Sequence, residues 1–389
     1  MAKEAPAQKP KKSNIFVRLL AFLLTAALVL GALVLVVYRD RFNLDALKRW
    51  LSYRSLETSD TGQAAPFTHA GGDQLSIDYL ENGILLSSTA GAHYYSFSGE
   101  SYAEEIVAME HPVLSASEKA GVVYDAGDAS LFLFRGTQEV FDLSLSGGGD
   151  LLSARVNNSG WLAVTAQQSG FKGAVTVYNS QGSEVISIQL SSTFVIDAAI
   201  SPDCKTVALV TINQENGAFK SQILFYPVDK KEPSAQVDLS NMAVLELDYE
   251  SQTLWALGED RLVAISTDDQ SVQTYSFANT YLKGYALGGD GYAFLLLGRY
   301  RAGAASQVLT ISSDGSVIAS QDLSVQVLDF DSAGNYCSLL TGSGLTIYTK
   351  DLQPYSTLSA TQGARYTALA SDGSAMLADA QQAWLYIPN

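Results

Sequence analysis

A turn followed by an apolar run recurs about eight times between Leu75 and the C-terminus, at intervals of roughly 40 residues. The turns lie at Gly83, Gly121, Gly160, Cys204, Ser251, Gly291, Gly334 and Gly373. About ten residues after each turn comes a second strand, and several of these alternate apolar and polar residues in the period of two that one packed face requires. Further strands lie before and after most of these hairpins. Four strands in each repeat are the composition of a propeller blade.

The repeats therefore predict an all-β, WD40-like β-propeller over residues 67–389. The predicted number of blades is eight, and seven remains an alternative because the turns at Gly121 and Ser251 are weak. The last repeat stops at Asn389 without an outer strand. We expect the extended segment at residues 67–69 to pair with this last blade and close the ring, since an open edge invites aggregation.

The N-terminus predicts a membrane anchor. Residues 19–37 form an uninterrupted apolar or uncharged stretch that as a helix would span roughly 28 Å, close to the hydrocarbon thickness of a bilayer. A cleaved signal peptide is disfavoured because no small-residue cleavage site follows. The expected organisation is a basic cytoplasmic tail (1–14), a transmembrane helix (15–37), a juxtamembrane segment (38–58), a polar linker (59–66) and the propeller (67–389).

The juxtamembrane segment predicts a short amphipathic helix over residues 43–56. Its apolar face consists of Leu44, Leu47, Trp50 and Leu51, while the basic side chains of Lys48, Arg49 and Arg54 lie largely elsewhere. We expect this helix to lie along the membrane surface, with Tyr38 and Trp50 at headgroup level and Arg39 and Arg41 near lipid phosphates. The alternative is a stalk packed under the propeller.

Charge separates the two parts of the chain. Residues 1–58 contain ten Lys or Arg against four Asp or Glu, which leaves 14 against 36 and a net charge of −22 for the remainder. Nucleic acid is therefore excluded as a partner. Lys and Arg are equally frequent on both sides of the span, so the positive-inside rule does not choose an orientation. The arrangement of a short basic tail, one span and a long C-terminal domain predicts a cytoplasmic N-terminus and an extracytoplasmic propeller.

The sequence is poor in catalytic and metal-binding patterns. Its three histidines lack metal-ligand spacing, and no nucleophile elbow, Walker loop or zinc-type cysteine pair occurs. Residues 329–334 begin like a calcium loop, but Leu340 stands where a bidentate Glu is required. Cys204 and Cys337 lie in distant repeats, which makes a disulfide between them improbable, and we expect both to be buried small apolar residues. We expect no enzyme activity, no metal and no cofactor.

One acidic constellation is a candidate ligand site. It consists of aspartates that are expected in the late part of the first strand of four repeats, namely Asp78, Asp197, Asp248 and Asp329. First strands line the central channel of a propeller, so these carboxylates could hold a cation or a basic peptide, and crowding would raise their pKa values. The alternative is that each Asp caps its own turn. Among Tyr94, Tyr95, Tyr281, Tyr285 and Tyr300, tyrosines in loops such as Tyr300 are a second candidate recognition surface, and others are expected to fill the cores between blades.

The residues directly after the predicted span form a further pattern, which consists of Phe42, Asn43, Leu47, Arg49, Trp50, Leu51, Tyr53 and Arg54. Together with the single span and the propeller, this pattern resembles that of a family of membrane-anchored propellers from Gram-positive bacteria. That resemblance implies a propeller in the cell envelope, and it transfers no activity and no site residue.

The predicted function is a non-catalytic, membrane-tethered binding or scaffold module that engages an envelope protein or glycan. One alternative is a propeller enzyme that acts on glycan or peptide through channel carboxylates, although the repeated Asp boxes of sialidase-like propellers are missing. A second alternative is an assembly factor in a membrane protein complex, whose span would contact other helices. The ligand and the oligomeric state stay open.

Overall fold

A computed structural model describes residues 19–26, 29, 44–81, 83–137, 139–142, 149–215 and 217–388. The chain divides into two units, Met1–Lys48 and Arg49–Asn389. In the first unit, residues 19–26 and 29 are helical. No helix among the described residues is long and apolar enough to cross a membrane. Most of the predicted span, with Tyr38, Arg39 and Arg41 beyond it, lies outside the described residues.

The predicted amphipathic helix is present as α1 (Leu44–Tyr53). Its apolar side chains, Leu44, Leu47, Trp50 and Leu51, are exposed, and Trp50 retains 62% of its accessible surface. Arg49 and Tyr53 are instead buried. Arg49 lies away from this apolar face, and its guanidinium donates hydrogen bonds to the carbonyl of Asp372 and the hydroxyl of Tyr355 in the propeller.

The first four blades each contain four consecutive strands. Blade 1 contains β2 (Ser76–Leu80), β3 (Gly83–Ser88), β4 (Gly91–Ser96) and β5 (Ser101–Glu105). Blade 2 contains β6 (Pro112–Ala116), β7 (Gly121–Asp125), β8 (Leu131–Arg135) and β9 (Glu139–Asp142). Blade 3 contains β10 (Leu151–Val156), β11 (Leu162–Ala166), β12 (Gly173–Tyr178) and β13 (Glu184–Leu190). Blade 4 contains β14 (Phe194–Ile200), β15 (Thr206–Glu215), β16 (Ala218–Pro227) and β17 (Ala235–Ser240).

The last four blades follow the same order, except that the outer strand of blade 8 comes from the N-terminal side. Blade 5 contains β18 (Val244–Glu250), β19 (Thr253–Gly258), β20 (Arg261–Ser266) and β21 (Val272–Ser276). Blade 6 contains β22 (Tyr281–Gly289), β23 (Tyr292–Gly298), β24 (Gln307–Ser312) and β25 (Val317–Asp322). Blade 7 contains β26 (Val327–Ala333), β27 (Tyr336–Thr341), β28 (Gly344–Thr349) and β29 (Pro354–Leu358). Blade 8 contains β30 (Tyr366–Leu369), β31 (Ala375–Ala378), β32 (Gln382–Tyr386) and β1 (Phe67–Thr68).

The eight sheets form a closed ring of antiparallel blades. The first strand of each blade is an edge strand, and neighbouring first strands contact one another around the ring, including β30 with β2. The prediction of an eight-bladed propeller is confirmed, and the seven-bladed alternative is wrong. Second strands such as β3 and β23 are buried along their whole length, whereas fourth strands such as β21 face solvent. This gradient explains why the second strand of each repeat is its most apolar segment.

The ring closes through β1, which pairs with β32 at Phe67–Ala383 and Thr68–Gln382. The segment at residues 59–66, expected as a linker, also lies along β32: the Ala64 N–H donates to the carbonyl of Leu385 at 2.8 Å. Gly62 has a φ of +80°, and a Cβ at this position would lie 2.3 Å from the carbonyl oxygen of Ile387. Only glycine fits this close approach.

The ring has two faces. Turns between first and second strands, and between third and fourth strands, form the face that we call the N-terminal face, because Arg49 and Tyr53 pack there. Arg49 donates to the carbonyl of Asp372, in the β30–β31 turn, and to the hydroxyl of Tyr355 at 2.7 Å. The ring of Tyr53 packs edge-on against Phe97 at 5.4 Å. The opposite ends of the strands form the distal face.

Candidate functional site

The four predicted aspartates all lie in first strands, but at different positions along the strand. Asp329 is third of the seven residues of β26, and Asp248 is fifth of the seven residues of β18. The expectation that all four occupy the late part of a strand is therefore wrong. The inner strands also contain register shifts, because the pairing of β14, β18 and β26 skips one residue directly before Asp197, Glu246 and Asp329.

Each of these carboxylates accepts a hydrogen bond from the N–H of the residue that follows it. The pairs are Asp78 with Tyr79 at 2.7 Å, Asp197 with Ala198 at 2.9 Å, Asp329 with Phe330 at 2.9 Å, and Asp248 with Tyr249. The alternative considered from the sequence, that these aspartates cap the local backbone, thus describes part of their role.

Some of the same carboxylates also reach the neighbouring blade. Asp329 Oδ2 accepts the N–H of Thr367 at 2.7 Å, and Asp331 Oδ2 accepts the N–H of Leu369 at 2.7 Å. Asp78 likewise accepts the N–H of Ala116 in the next first strand. First strands are edge strands, so their inward N–H groups lack a sheet partner and need another acceptor. The aspartates supply that acceptor and join adjacent blades.

Asp197 belongs to a second arrangement, the Arg155 cluster, which consists of Ser153, Arg155, Asp197, Glu246 and Tyr285. Arg155 Nε lies 2.9 Å from Asp197 Oδ1 and 2.8 Å from Oδ2, and its Nη2 lies 2.8 Å from Oδ2. Arg155 Nη1 donates to Glu246 Oε1, and the hydroxyl of Tyr285 donates to Glu246 Oε2 at 2.9 Å. Ser153 Oγ donates to Asp197 Oδ1. One guanidinium therefore connects the first strands of blades 3, 4 and 5, and Glu246 extends the connection to blade 6.

The Arg155 cluster holds one cation between two carboxylates. Burial opposes the charge of Arg155, but the carboxylates of Asp197 and Glu246 outweigh it and raise the pKa of the guanidinium. Asp248 lies beside this cluster without sharing the guanidinium. Burial, opposed by Arg155 and reinforced by Glu246, raises the pKa of Asp248 to about 7.

Asp78 and Asp329 belong to a separate Asp78 cluster, whose third member is Asp331. Burial raises the pKa of Asp78 to about 6 and that of Asp329 to about 6, although backbone N–H groups oppose both shifts. Burial and the nearby Asp78 raise the pKa of Asp331 well above its usual range. Burial is the larger cause here, whereas the sequence interpretation relied on charge crowding. The four predicted aspartates thus fall into two places and do not form one site.

Sequence reasoning missed Arg155, Glu246 and Asp331. All three lie in first strands, so a search of every charged residue in those strands, and not of aspartates alone, would have found them. Among the described residues, no group of three or more His, Cys, Asp or Glu side chains could hold a metal ion. Chemically, the clusters are arrangements of inter-blade hydrogen bonds and ion pairs.

The surface offers a different candidate site. Large apolar side chains that remain exposed on the distal face are Ile106, Phe171, Phe194, Phe219, Leu245, Tyr281, Tyr300, Val325 and Leu328. On the N-terminal face, the exposed apolar side chains at the starts of fourth strands are Val185, Val272 and Val317. The exposed aromatic residues of the propeller therefore gather on the distal face, opposite to Arg49 and Tyr53.

Of the tyrosines predicted as a recognition surface, Tyr300 is 75% exposed and Tyr281 is 42% exposed. Tyr94 and Tyr95 are buried, and Tyr285 bonds Glu246. Cys337 is buried as predicted, but Cys204 is half-buried in the β14–β15 turn with a φ of +59°. Both cysteines are free.

The sequence profile of one protein family matches residues 52–353, from α1 through blade 7 as far as β28. The chain belongs to DUF5711, a family of unknown function. No curated protein sequence matches this DUF5711 chain.

Solved structures that resemble the DUF5711 chain show its fold. BamB from Moraxella catarrhalis is 11% identical, with a TM-score of 0.51, and the match covers 84% of this chain and 99% of BamB. The C-terminal WD40 domain of Sif2 is 11% identical, with a TM-score of 0.55, over 82% of this chain and 100% of that domain. Hydrazine synthase of Kuenenia stuttgartiensis is 13% identical, with a TM-score of 0.50, over 74% of this chain and 99% of that chain. At these identities the likeness concerns architecture alone.

Proposed function

We propose that this protein is a non-catalytic binding or scaffold module, tethered to the membrane by its N-terminal segment, whose distal face engages a protein of the cell envelope. The observation that carries the proposal is the one-sided distribution of exposed apolar side chains. Monomeric proteins rarely leave large aromatic and aliphatic side chains grouped on one surface unless that surface binds something.

The point where the chain enters the ring supports this use of the distal face. The chain reaches the ring at Arg49 and Tyr53, on the N-terminal face. The apolar stretch at residues 19–37 is long enough for a bilayer-spanning helix, and the exposed Trp50 and Leu51 suit contact with lipid headgroups. A tether at one face leaves the opposite face open to a partner.

The inner clusters favour binding over catalysis. The carboxylates of Asp78, Asp197 and Asp329 accept bonds from backbone N–H groups, and Asp197 also pairs with Arg155. A general acid or base has to exchange its proton with a substrate, whereas these groups hold neighbouring strands together. This geometry supports a rigid scaffold and gives no support to the alternative of a channel-carboxylate enzyme.

Photo-crosslinking in cells tests the proposal. A photoreactive amino acid replaces Phe219 or Tyr300 on the distal face of the full-length chain, and Val272 or Val317 serves as the matched control. We expect both distal positions to crosslink the same envelope protein and the control positions to leave it uncaptured. Crosslinks to that protein from the controls alone, or no crosslinked protein from either distal position, would contradict the proposal.

A further inference from the structure

We infer that the partner contributes an acidic segment with apolar residues to the distal face, and that this segment lies against the β23–β24 loop of blade 6 and the β15–β16 hairpin of blade 4. The inference rests on the proposed function and specifies its partner. Three observations carry it: exposed cations beside an exposed tyrosine, a projecting hairpin, and exposed apolar side chains between them.

The β23–β24 loop presents Arg299, Tyr300 and Arg301, all exposed. Among the described residues neither arginine forms an ion pair, while the nearby Lys283 donates to the carbonyl of Arg301 at 2.7 Å. Two unpaired guanidinium groups stand out in a domain of net charge −22. Arginine and tyrosine are the residue types that most often dominate binding energy at interfaces. This loop is therefore complementary to carboxylates.

The β15–β16 hairpin extends beyond its own blade. The first strand of blade 4 pairs as far as Ile212, whereas β15 and β16 continue to pair for three more residues, up to Glu215 and Ala218. At roughly 3.3 Å per residue the hairpin projects about 10 Å past β14. Phe219, near its tip, is 71% exposed. A projecting hairpin with an exposed aromatic tip suits an anchor that packs against a partner.

On the distal face near blade 3, Lys172 forms a cation–π contact with Phe194, and its Nζ lies 5.1 Å from the centre of the ring. Between the hairpin and the blade 6 loop, the first strands of blades 5 and 6 present Leu245 and Tyr281. The β19–β20 turn of blade 5 presents Glu259 and Asp260, and Asp260 pairs with Arg261 at 3.3 Å. An anionic glycan polymer would have little use for Leu245 or Phe219, because such a polymer offers hydroxyl and phosphate groups in place of apolar side chains. The mixture of arginines and apolar residues therefore fits an acidic protein segment.

The test uses the full-length chain in detergent micelles and a displayed library of random short peptides as the probe. We expect enriched peptides to combine Asp or Glu with aromatic or aliphatic residues. Replacing both arginines (R299E and R301E) should weaken their binding roughly tenfold or more. The matched control is K230E with K231E, which makes the same change of net charge at exposed lysines in the β16–β17 turn on the N-terminal face.

Enriched peptides without acidic residues, or equal weakening by both double variants, would overturn the inference, and so would an empty selection. Polyphosphate is the second probe. If polyphosphate binds the distal face without displacing the enriched peptides, or if R299E/R301E weakens the binding of polyphosphate alone, the surface takes an anionic polymer and the inference is wrong. These results can be distinguished from a failure of the proposed function. If Phe219 and Tyr300 still crosslink an envelope protein in R299E/R301E, the proposal of a binding module stands and the proposal of an acidic segment is rejected.

Discussion

Arg155 of blade 3 and Glu246 of blade 5 form an ion pair between blades that are not neighbours. The same guanidinium holds Asp197 of blade 4, which lies between them. The side chains meet where the first strands converge, so the pair bridges the inner ring. Its consequence is that one residue links the positions of three blades.

Removal of Arg155 should destabilise the propeller. Arg155→Met leaves the carboxylates of Asp197 and Glu246 without their cation, and an uncompensated, partly buried charge pair costs about 3 kcal/mol. Urea unfolding measures this loss. The combined variant R155M/D197N/E246Q should recover part of it, because no unpaired charge remains.

The control for this series is Lys205→Met, which removes an exposed ion pair with Asp203 at 3.3 Å. Exposed pairs contribute about 0–1 kcal/mol, so this variant should unfold close to the wild type. Equal losses from Arg155→Met and Lys205→Met would show that the bridge does not stabilise the ring.

Stability should fall as the pH rises from 5 to 8. Burial raises the pKa of Asp248 to about 7, while in the unfolded chain this group titrates near 3.8. Between these values the folded protein holds a proton that the unfolded chain has lost, so each step up in pH favours unfolding until the folded group has also ionised. Burial also raises the pKa values of Asp78 and Asp329 to about 6, and that of Glu250 to about 8, which adds to the same trend.

Asp248→Asn should flatten this trend. Because the unfolded group already ionises above pH 3.8, this variant should raise the unfolding free energy by roughly 1 kcal/mol at pH 5 and by about 2–4 kcal/mol at pH 8. Asp314→Asn is the control: hydrogen bonds from Ser312 and Ser316 hold the pKa of Asp314 at about 2, below the window. Denaturation at several pH values measures both, and an unchanged slope in Asp248→Asn would refute the assignment.

Arg49 should hold the N-terminal segment to blades 7 and 8. Arg49→Met removes the hydrogen bonds to Asp372 and Tyr355, and bonds of a charged donor contribute roughly 1.5–3 kcal/mol. Hydrogen exchange should also become faster at residues 383–387, where the N-terminal segment closes the ring. Arg54→Met, at an exposed position, should stay within about 0.5 kcal/mol of wild type. The same exchange rates in both variants would exclude Arg49 from the closure.

The blades could be predicted from the sequence because their signals are local. A turn residue followed by an apolar second strand marks each repeat, and the missing outer strand at Asn389 indicated that residues 67–69 would close the ring. The inner clusters are not local: Arg155 and Glu246 are 91 positions apart. Their side-chain directions also depend on register shifts before Asp197 and Glu246, which reverse the alternation that the sequence pattern suggests.

The predicted membrane topology can be tested with protease. With the propeller outside the cytoplasm, protease added to intact protoplasts should cut or release it, whereas protection until lysis would place it inside. Digestion after lysis is the control that shows that the domain can be cut.

The central claim, that the distal face is occupied by a partner, is tested most directly by hydroxyl-radical footprinting of the full-length chain in its native membranes and after purification. We predict that Phe219 and Tyr300 are oxidised more slowly in the native membranes than in the purified chain, while Val272 and Val317 are oxidised at the same rate in both. Equal rates at Phe219 and Tyr300 in both preparations, or protection confined to Val272 and Val317, would contradict the claim.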